Sequence, residues 1–174
     1  MARNVEIKAR VRDPAALARR VRALCGKAVR RLSQADTFFR VPRGRLKLRV
    51  VAKGAAELIA YERPDRPGPK GCEYDVARVA GPAAMRRALS RALGVAGTVR
   101  KVRRLHMLGA TRVHLDRVEG LGDFLELEVV LAKGQSLAYG RRTARAIMEH
   151  LGIGKRDLVD RAYIDLLETP KRRR

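Results

Sequence analysis

Eight stretches of this chain alternate apolar with charged residues at a period of two, and the sign of the charge depends on the stretch. They are 5–11, 37–41, 46–51, 57–63, 73–79, 99–107, 112–118 and 124–131. Period two marks β-strands, because successive side chains point to opposite faces of a sheet. In the first stretch Val5, Ile7 and Ala9 share one face, while Asn4, Glu6, Lys8 and Arg10 share the other. In the third, Leu46, Leu48 and Val50 oppose Arg45, Lys47 and Arg49. In the seventh, Val113 and Leu115 oppose Arg112, His114 and Asp116; in the eighth, Leu125, Leu127, Val129 and Leu131 oppose Glu126 and Glu128. The sixth is less regular, with Lys101 and Arg103 on the same face as Val99 and Leu105.

A sheet with one face in water explains any single strand of this kind. Solvated faces mix the two signs, however. Here cations collect on the third and sixth strands, carboxylates on the eighth, and both on the first and seventh. If the sheet closes on itself, one wall is basic and the other acidic. That arrangement suits a polyphosphate with a divalent metal: Arg and Lys pair with phosphate oxygens, and carboxylates on adjacent strands are hard ligands for Mg²⁺ or Mn²⁺.

Helical signals fall between the strands. Asp13 and Pro14 open a helix through Leu17, Val21 and Leu24 to Gly26, and Pro82 opens a second that stops at Gly94. Ser136 caps a third that ends near Gly152, and a fourth is predicted over 156–168, ahead of Pro170. Residues 42–44 and 120–123 are hairpin turns, and 63–71, with three Pro and two Gly, is a loop. The predicted fold is α+β: an eight-stranded antiparallel β-barrel with flanking helices, not a doubly wound parallel sheet. Residues 1–169 form one domain, and 170–174 form a basic, disordered tail.

Composition narrows the partners. The 174 residues carry 40 Lys and Arg against 18 Asp and Glu, a formal charge of +22, which favours a polyanion without choosing one. Four Tyr, three Phe and no Trp make a base-stacking nucleic-acid platform poorly supported, so nucleic acid is expected to bind only non-specifically. Cys25 and Cys72 lack CxxC spacing, which points to neither a zinc site nor a disulfide. With no apolar run of signal or membrane-spanning length, a cytoplasmic location and no membrane are expected. A homodimer is compatible with such a barrel, and nothing in the chain requires one.

The charged strands resemble a known family in order. Asn4-Val5-Glu6-Ile7-Lys8 is similar to the N-terminal E-x-E-x-K motif of the CYTH superfamily, which holds class IV adenylate cyclases and thiamine or inorganic triphosphatases. The resemblance continues through Gln34-Ala35-Asp36-Thr37-Phe38-Phe39, Gly44-Arg45-Leu46-Lys47-Leu48-Arg49, Val99-Arg100-Lys101-Val102-Arg103, residues 112–116, Gly120-Leu121-Gly122, residues 124–128 and Tyr163-Ile164-Asp165-Leu166-Leu167. Each motif alone is weak; their order over nearly the whole chain is specific. The resemblance implies a triphosphate tunnel in which Lys8, Lys47, Arg49, Lys101, Arg103 and Arg112 contact phosphate. It also implies that Glu6, Asp116, Glu126 and Glu128 hold Mg²⁺ or Mn²⁺, and that Lys8 positions the attacking water or hydroxyl.

Two positions depart from the pattern. Asn4 replaces the first Glu of the motif, keeping a carbonyl oxygen but no charge. Glu62 stands where many members carry Lys, and either Arg63 or Lys70 would replace that cation. The expected activity is hydrolysis of tripolyphosphate or a nucleoside triphosphate such as ATP. The alternatives are cyclisation of ATP to cyclic AMP, and a non-catalytic polyanion or RNA binder.

Overall fold

A computed structural model describes residues 2–52 and 55–168; the predicted basic tail lies outside the described residues. The strands are β1 (Ala2–Arg10), β2 (Arg30–Phe39), β3 (Arg45–Val51), β4 (Ala56–Glu62), β5 (Lys70–Arg78), β6 (Val95–Leu108), β7 (Thr111–Val118) and β8 (Gly122–Val130). The helices are α1 (Pro14–Cys25), α2 (Pro82–Leu93), α3 (Leu137–Leu151) and α4 (Tyr163–Glu168). All neighbouring strands pair antiparallel and close into a barrel in the order β1-β5-β4-β3-β2-β6-β7-β8. The predicted eight-stranded α+β barrel is the observed fold.

Where α1 and α3 cover it, the barrel is apolar outside and charged inside. Val5, Ile7 and Ala9 of β1, Val113 of β7 and Leu125, Leu127 and Val129 of β8 are buried on the outer surface beneath α1 and α3. Helix α3 lies so close to β1 that a Cβ at Gly140 would stand 2.6 Å from Val5 Cγ2. Asp13 caps α1 by accepting from Ala16 N at 2.9 Å, and Ser136 caps α3 by accepting from Tyr139 N at 3.2 Å. With apolar alternates covered by helices, the polar alternates on these strands have only the lumen to face.

Several boundaries differ from the sequence expectation. β2 begins at Arg30, seven residues before the predicted 37, because its pairing with β6 runs from Arg30↔Leu105 to Phe39↔Val95. Its inward residues there include Gln34 and Asp36, so no apolar alternation announces a strand. β6 likewise starts at Val95, and β5 starts at Lys70, inside the predicted loop. The fourth predicted helix is broken into a 3-10 turn (Lys155–Asp157) and the shorter α4. Between them Leu158 bridges Ala9 and Val159 N donates to Lys8 O at 2.8 Å, so this segment spends its backbone on β1 instead of on a helix.

Candidate active site in the barrel lumen

The lumen is a cavity of about 400 Å³ divided into three sectors by strand order. The basic sector is β3-β2-β6, the acidic sector is β8-β1, and an apolar sector on β4-β5 joins them. At one end Val159, Ala162, Tyr163 and Ile164 pack with Phe38, Val99, Val118 and Phe124, and Ala162 and Tyr163 line the cavity there. A Cβ at Gly97 would stand 2.5 Å from Ile164, which is how closely this segment seats. Arg30, Glu57, Val76 and Arg112 line the opposite end.

The predicted cations come together as expected. Lys8, Lys47, Arg49, Arg63, Lys101, Arg103 and Arg112 all line the cavity. On the basic sector Lys47 Nζ donates to Asp36 Oδ2 at 3.1 Å, and Arg49 donates through Nε and Nη2 at 2.9 and 3.0 Å to the same carboxylate. Burial lowers the Lys47 pKa to about 8, with Asp36 opposing and Arg49 and Lys101 adding to the fall. Against burial, which would raise it, Lys47 and Arg49 hold the Asp36 carboxyl far below its usual range. Of the two candidate replacement cations, Arg63 faces the lumen, with Nη1 3.2 Å from Glu6 Oε1. Lys70 does not line the cavity: it is fully buried and donates to the carbonyls of Arg66 and Asp160 at 3.0 and 2.8 Å.

The carboxylates divide into two groups. Glu6, Glu126 and Glu128 line the cavity, with Glu6 directly opposite Glu128 on the β1/β8 ladder and Glu126 opposite Lys8. Lys8 Nζ lies 2.7 Å from Glu126 Oε1 and 4.0 Å from the centre of the Tyr163 ring. Arg103 also contacts Glu126, while Glu128 takes Arg112 Nη1 at 3.1 Å and lies 3.2 Å from His114 Nε2. Asp116 stands behind the wall with its side chain fully buried, outside the cavity lining. It accepts from Arg103 Nε and Nη2, both at 2.6 Å, from Lys101 Nζ at 3.2 Å and from Tyr163 Oη at 3.1 Å. A cation reaching Asp116 must exchange these contacts.

Burial pushes the Glu6 carboxyl above its ordinary value; Glu126 and Glu128 add to the rise, and Arg63 and Lys8 oppose it. A divalent cation beside it would offset the repulsion from Glu126 and Glu128, and the hard oxygens of Glu6, Glu126 and Glu128 suit Mg²⁺ or Mn²⁺. The donor set therefore fits such an ion. Among the described residues no three acidic, His or Cys side chains already enclose a metal position, so binding must draw the carboxylates out of their ion pairs. Asn4, the neutral departure in the motif, lines the cavity with its buried Oδ1 unpartnered.

Sequence reasoning missed three contributors. Asp36 lies within one of the resembling motifs, where its residue type alone indicates no role. Tyr163 was placed in the closing motif, yet nothing in the sequence says that its ring lies 4.0 and 5.0 Å from Lys8 and Lys101. The apolar sector, with the ladder pairs Ile59↔Val76 and Tyr61↔Tyr74 facing the lumen, hides in strands that look like any others. The other departure, Glu62, lies on the outer surface beside Arg43 and Gly44, away from the cavity.

The site is thus a closed antiparallel tunnel with a basic sector facing an acidic one. Residues 2–163 match the CYTH domain, and the chain belongs to this family. No curated protein sequence matches it. Among solved structures, the PH1012 protein of Pyrococcus horikoshii superposes with a TM-score of 0.85 at 25% identity, covering 94% of this chain and 98% of that one. A putative adenylate cyclase from Vibrio parahaemolyticus gives 0.77 at 18% identity, covering 95% and 98%. A putative adenylyl cyclase from Hippeastrum, HpAC1, whose structure is described as revealing a dominant triphosphatase activity, gives 0.63 at 16% identity, covering 93% and 91%. The last two likenesses establish the fold. Among the described residues no helix is long and apolar enough to cross a membrane.

Proposed function

We infer that this chain is a metal-dependent hydrolase of a triphosphate, tripolyphosphate or a nucleoside triphosphate, with Mg²⁺ or Mn²⁺ as its cofactor. The observation that carries this is the confrontation, across one cavity, of Lys47, Arg49, Lys101 and Arg103 with Glu6, Glu126 and Glu128. The basic sector neutralises and orients the phosphate chain, and fixed cations in a restricted lumen stabilise charge that develops on the transferred group. Arg49, Arg103 and Arg112 bring planar donors suited to phosphate oxygens. Glu6, Glu126 and Glu128 would hold the divalent ion, which supplies further charge stabilisation on the phosphoryl oxygens. Asp116 joins them only by giving up Lys101 and Arg103.

Lys8 belongs to the acidic sector and shares the Tyr163 ring with Lys101 of the basic sector. Its ammonium, held by Glu126 and resting on the Tyr163 ring, would orient the attacking water by hydrogen bonding. Substrate enters from the end lined by Arg30 and Arg112, because the segment ending in Tyr163 packs across the other.

The apolar sector supports a second reading. Ile59, Tyr61, Tyr74 and Val76 offer a surface to an organic group carried by the triphosphate. A nucleoside seated there leaves open attack by its own 3′-hydroxyl on the α-phosphate, which is cyclase chemistry. The test is product analysis with Mg²⁺ or Mn²⁺: orthophosphate from tripolyphosphate and ATP is expected. Pyrophosphate with cyclic AMP would replace hydrolysis by cyclisation. No product from either substrate, with tight and salt-sensitive RNA binding, would overturn the enzyme assignment.

A further inference from the structure

One carboxylate of the lumen lies within the basic sector. Asp36 stands on β2, between the two cationic strands β3 and β6, and is 2% exposed. It faces Arg49 across the β2/β3 ladder and Val99 across the β2/β6 ladder. Its two oxygens accept from Lys47 Nζ, Arg49 Nε and Arg49 Nη2. The same geometry recurs on the next pair of strands. There Asp116 of β7 accepts from Lys101 Nζ and from Nε and Nη2 of Arg103 on β6. The Lys47-x-Arg49 and Lys101-x-Arg103 pairs are thus each gripped by one buried aspartate of the neighbouring strand.

The repeated grip has a chemical consequence. An Arg that donates through Nε and Nη2 to a carboxylate is fixed in plane, and its Nη1 edge is left for another acceptor. Long cationic side chains lose rotamer freedom when a ligand binds, and holding them beforehand removes that cost. Four cations on two strands flanking a single position would otherwise repel and splay toward water.

Resting on the triphosphatase reading above, we propose that Asp36 is the positioning residue of the phosphate-binding wall. It touches no reacting atom and acts through Lys47 and Arg49, which it locks as a preformed clamp parallel to the Lys101–Arg103 clamp held by Asp116. Asp36 makes the tunnel less positive, yet its removal is expected to slow turnover.

The test is a double-mutant cycle on tripolyphosphate hydrolysis with Asp36→Asn, Arg49→Gln and the pair. Asp36→Asn is expected to lower kcat about 10- to 100-fold, the scale of small misplacements in an oriented site. In the Arg49→Gln background the same change is expected to cost less than about threefold, because the guanidinium that supplies two of the three hydrogen bonds to Asp36 is gone. A merely structural role would lower the melting temperature and leave kcat per folded molecule unchanged. Full kcat in Asp36→Asn, or independent losses in the pair, would overturn the proposal. Should Asp36→Asn alone not fold, the charge-balanced Asp36→Asn/Lys47→Met is compared with Lys47→Met; a further tenfold loss is expected, and equal rates refute it. If the unaltered protein turns over neither triphosphate, the hydrolase reading has failed separately. The cycle is then run on tripolyphosphate dissociation constants, where non-additivity supports the clamp and additivity refutes it.

Discussion

Arg103 holds more of the lumen together than any other described cation, and its removal has a calculable cost. Its guanidinium makes two 2.6 Å bonds to Asp116, contacts Glu126, and lies 4.0 Å from Glu128. The Arg103 side chain is 4% exposed and that of Asp116 is fully buried, so solvent screens little of this. Removing one partner of a buried ion pair costs about 3–5 kcal/mol, because the remaining charge is left in a poor solvent. In Arg103→Gln neither acid is stranded: Lys101 and Tyr163 stay on Asp116 and Lys8 stays on Glu126. The lower end, about 3 kcal/mol, is therefore expected. For a domain of this size that corresponds to a fall of roughly 6–12 °C in melting temperature. The pH dependence has a defined sign. Against burial, Arg103 helps depress the Asp116 and Glu126 carboxyls, so their contribution is present above the unfolded pKa and is lost as pH falls. The gap between the two proteins, measured by urea titration, should be widest near pH 7 and narrow as pH falls below about 4, the range of the unfolded carboxyls. A difference below about 1 kcal/mol at pH 7, or one that does not narrow on acidification, would falsify this account of the wall.

Three further outcomes follow from the same geometry. Glu128→Gln is expected to lower tripolyphosphate turnover at least 100-fold while circular dichroism stays unchanged, since Glu128 lines the acidic sector and not the core. Lys47, its pKa depressed to about 8, loses its proton in the native state before the unfolded chain does. Raising pH from 7 to 10 should therefore weaken substrate binding while this residue's contribution to stability rises, a divergence readable by calorimetry and thermal melts in parallel. Leu127→Ala, on the outer surface of β8, should cost about 2–5 kcal/mol in urea titration while leaving kcat of the folded fraction within threefold.

The strands were legible where one set of alternates is apolar, and the helices where a cap residue and a proline or glycine punctuate them. β1, β3, β7 and β8 announce themselves because a helix or the barrel's end covers Val5, Leu48, Val113 or Leu127. β2 did not, since its lumen face carries Gln34 and Asp36 and its outer face begins with exposed Arg31 and Ser33. The fourth predicted helix failed for a non-local reason: Leu158 and Val159 are claimed by β1, more than 140 residues away in sequence. Within the site, residue type and face predicted which cations share the cavity. Which acid pairs with which cation was not legible, because that is decided by ladder register, such as Arg103↔Asp116 and Asp36↔Arg49. A one-residue change of register would send those groups to the opposite face.

The lumen's own ion pairs lead to an expectation that runs against first intuition. Glu126 occupies Lys8, at 2.7 Å, and part of Arg103, the cations a phosphate chain would use. Triphosphate binding is therefore an exchange, in which phosphate must displace a carboxylate that itself needs a cation. When Mg²⁺ or Mn²⁺ is present the displaced carboxylates have a partner and the exchange is balanced. In chelator the carboxylate is left uncompensated inside a cavity, so the unaltered protein should bind tripolyphosphate poorly. Glu126→Gln removes the competitor and frees Lys8 and Arg103. Isothermal titration in EDTA should then show tripolyphosphate binding about tenfold tighter to Glu126→Gln than to the unaltered protein, a gain of about 1.4 kcal/mol. With Mn²⁺ present the order should reverse and turnover should be lost, because the variant lacks one of the oxygens that would receive the ion. Weaker binding by Glu126→Gln in both conditions would mean that Glu126 organises the cations for phosphate, as Asp36 does, and does not compete for them.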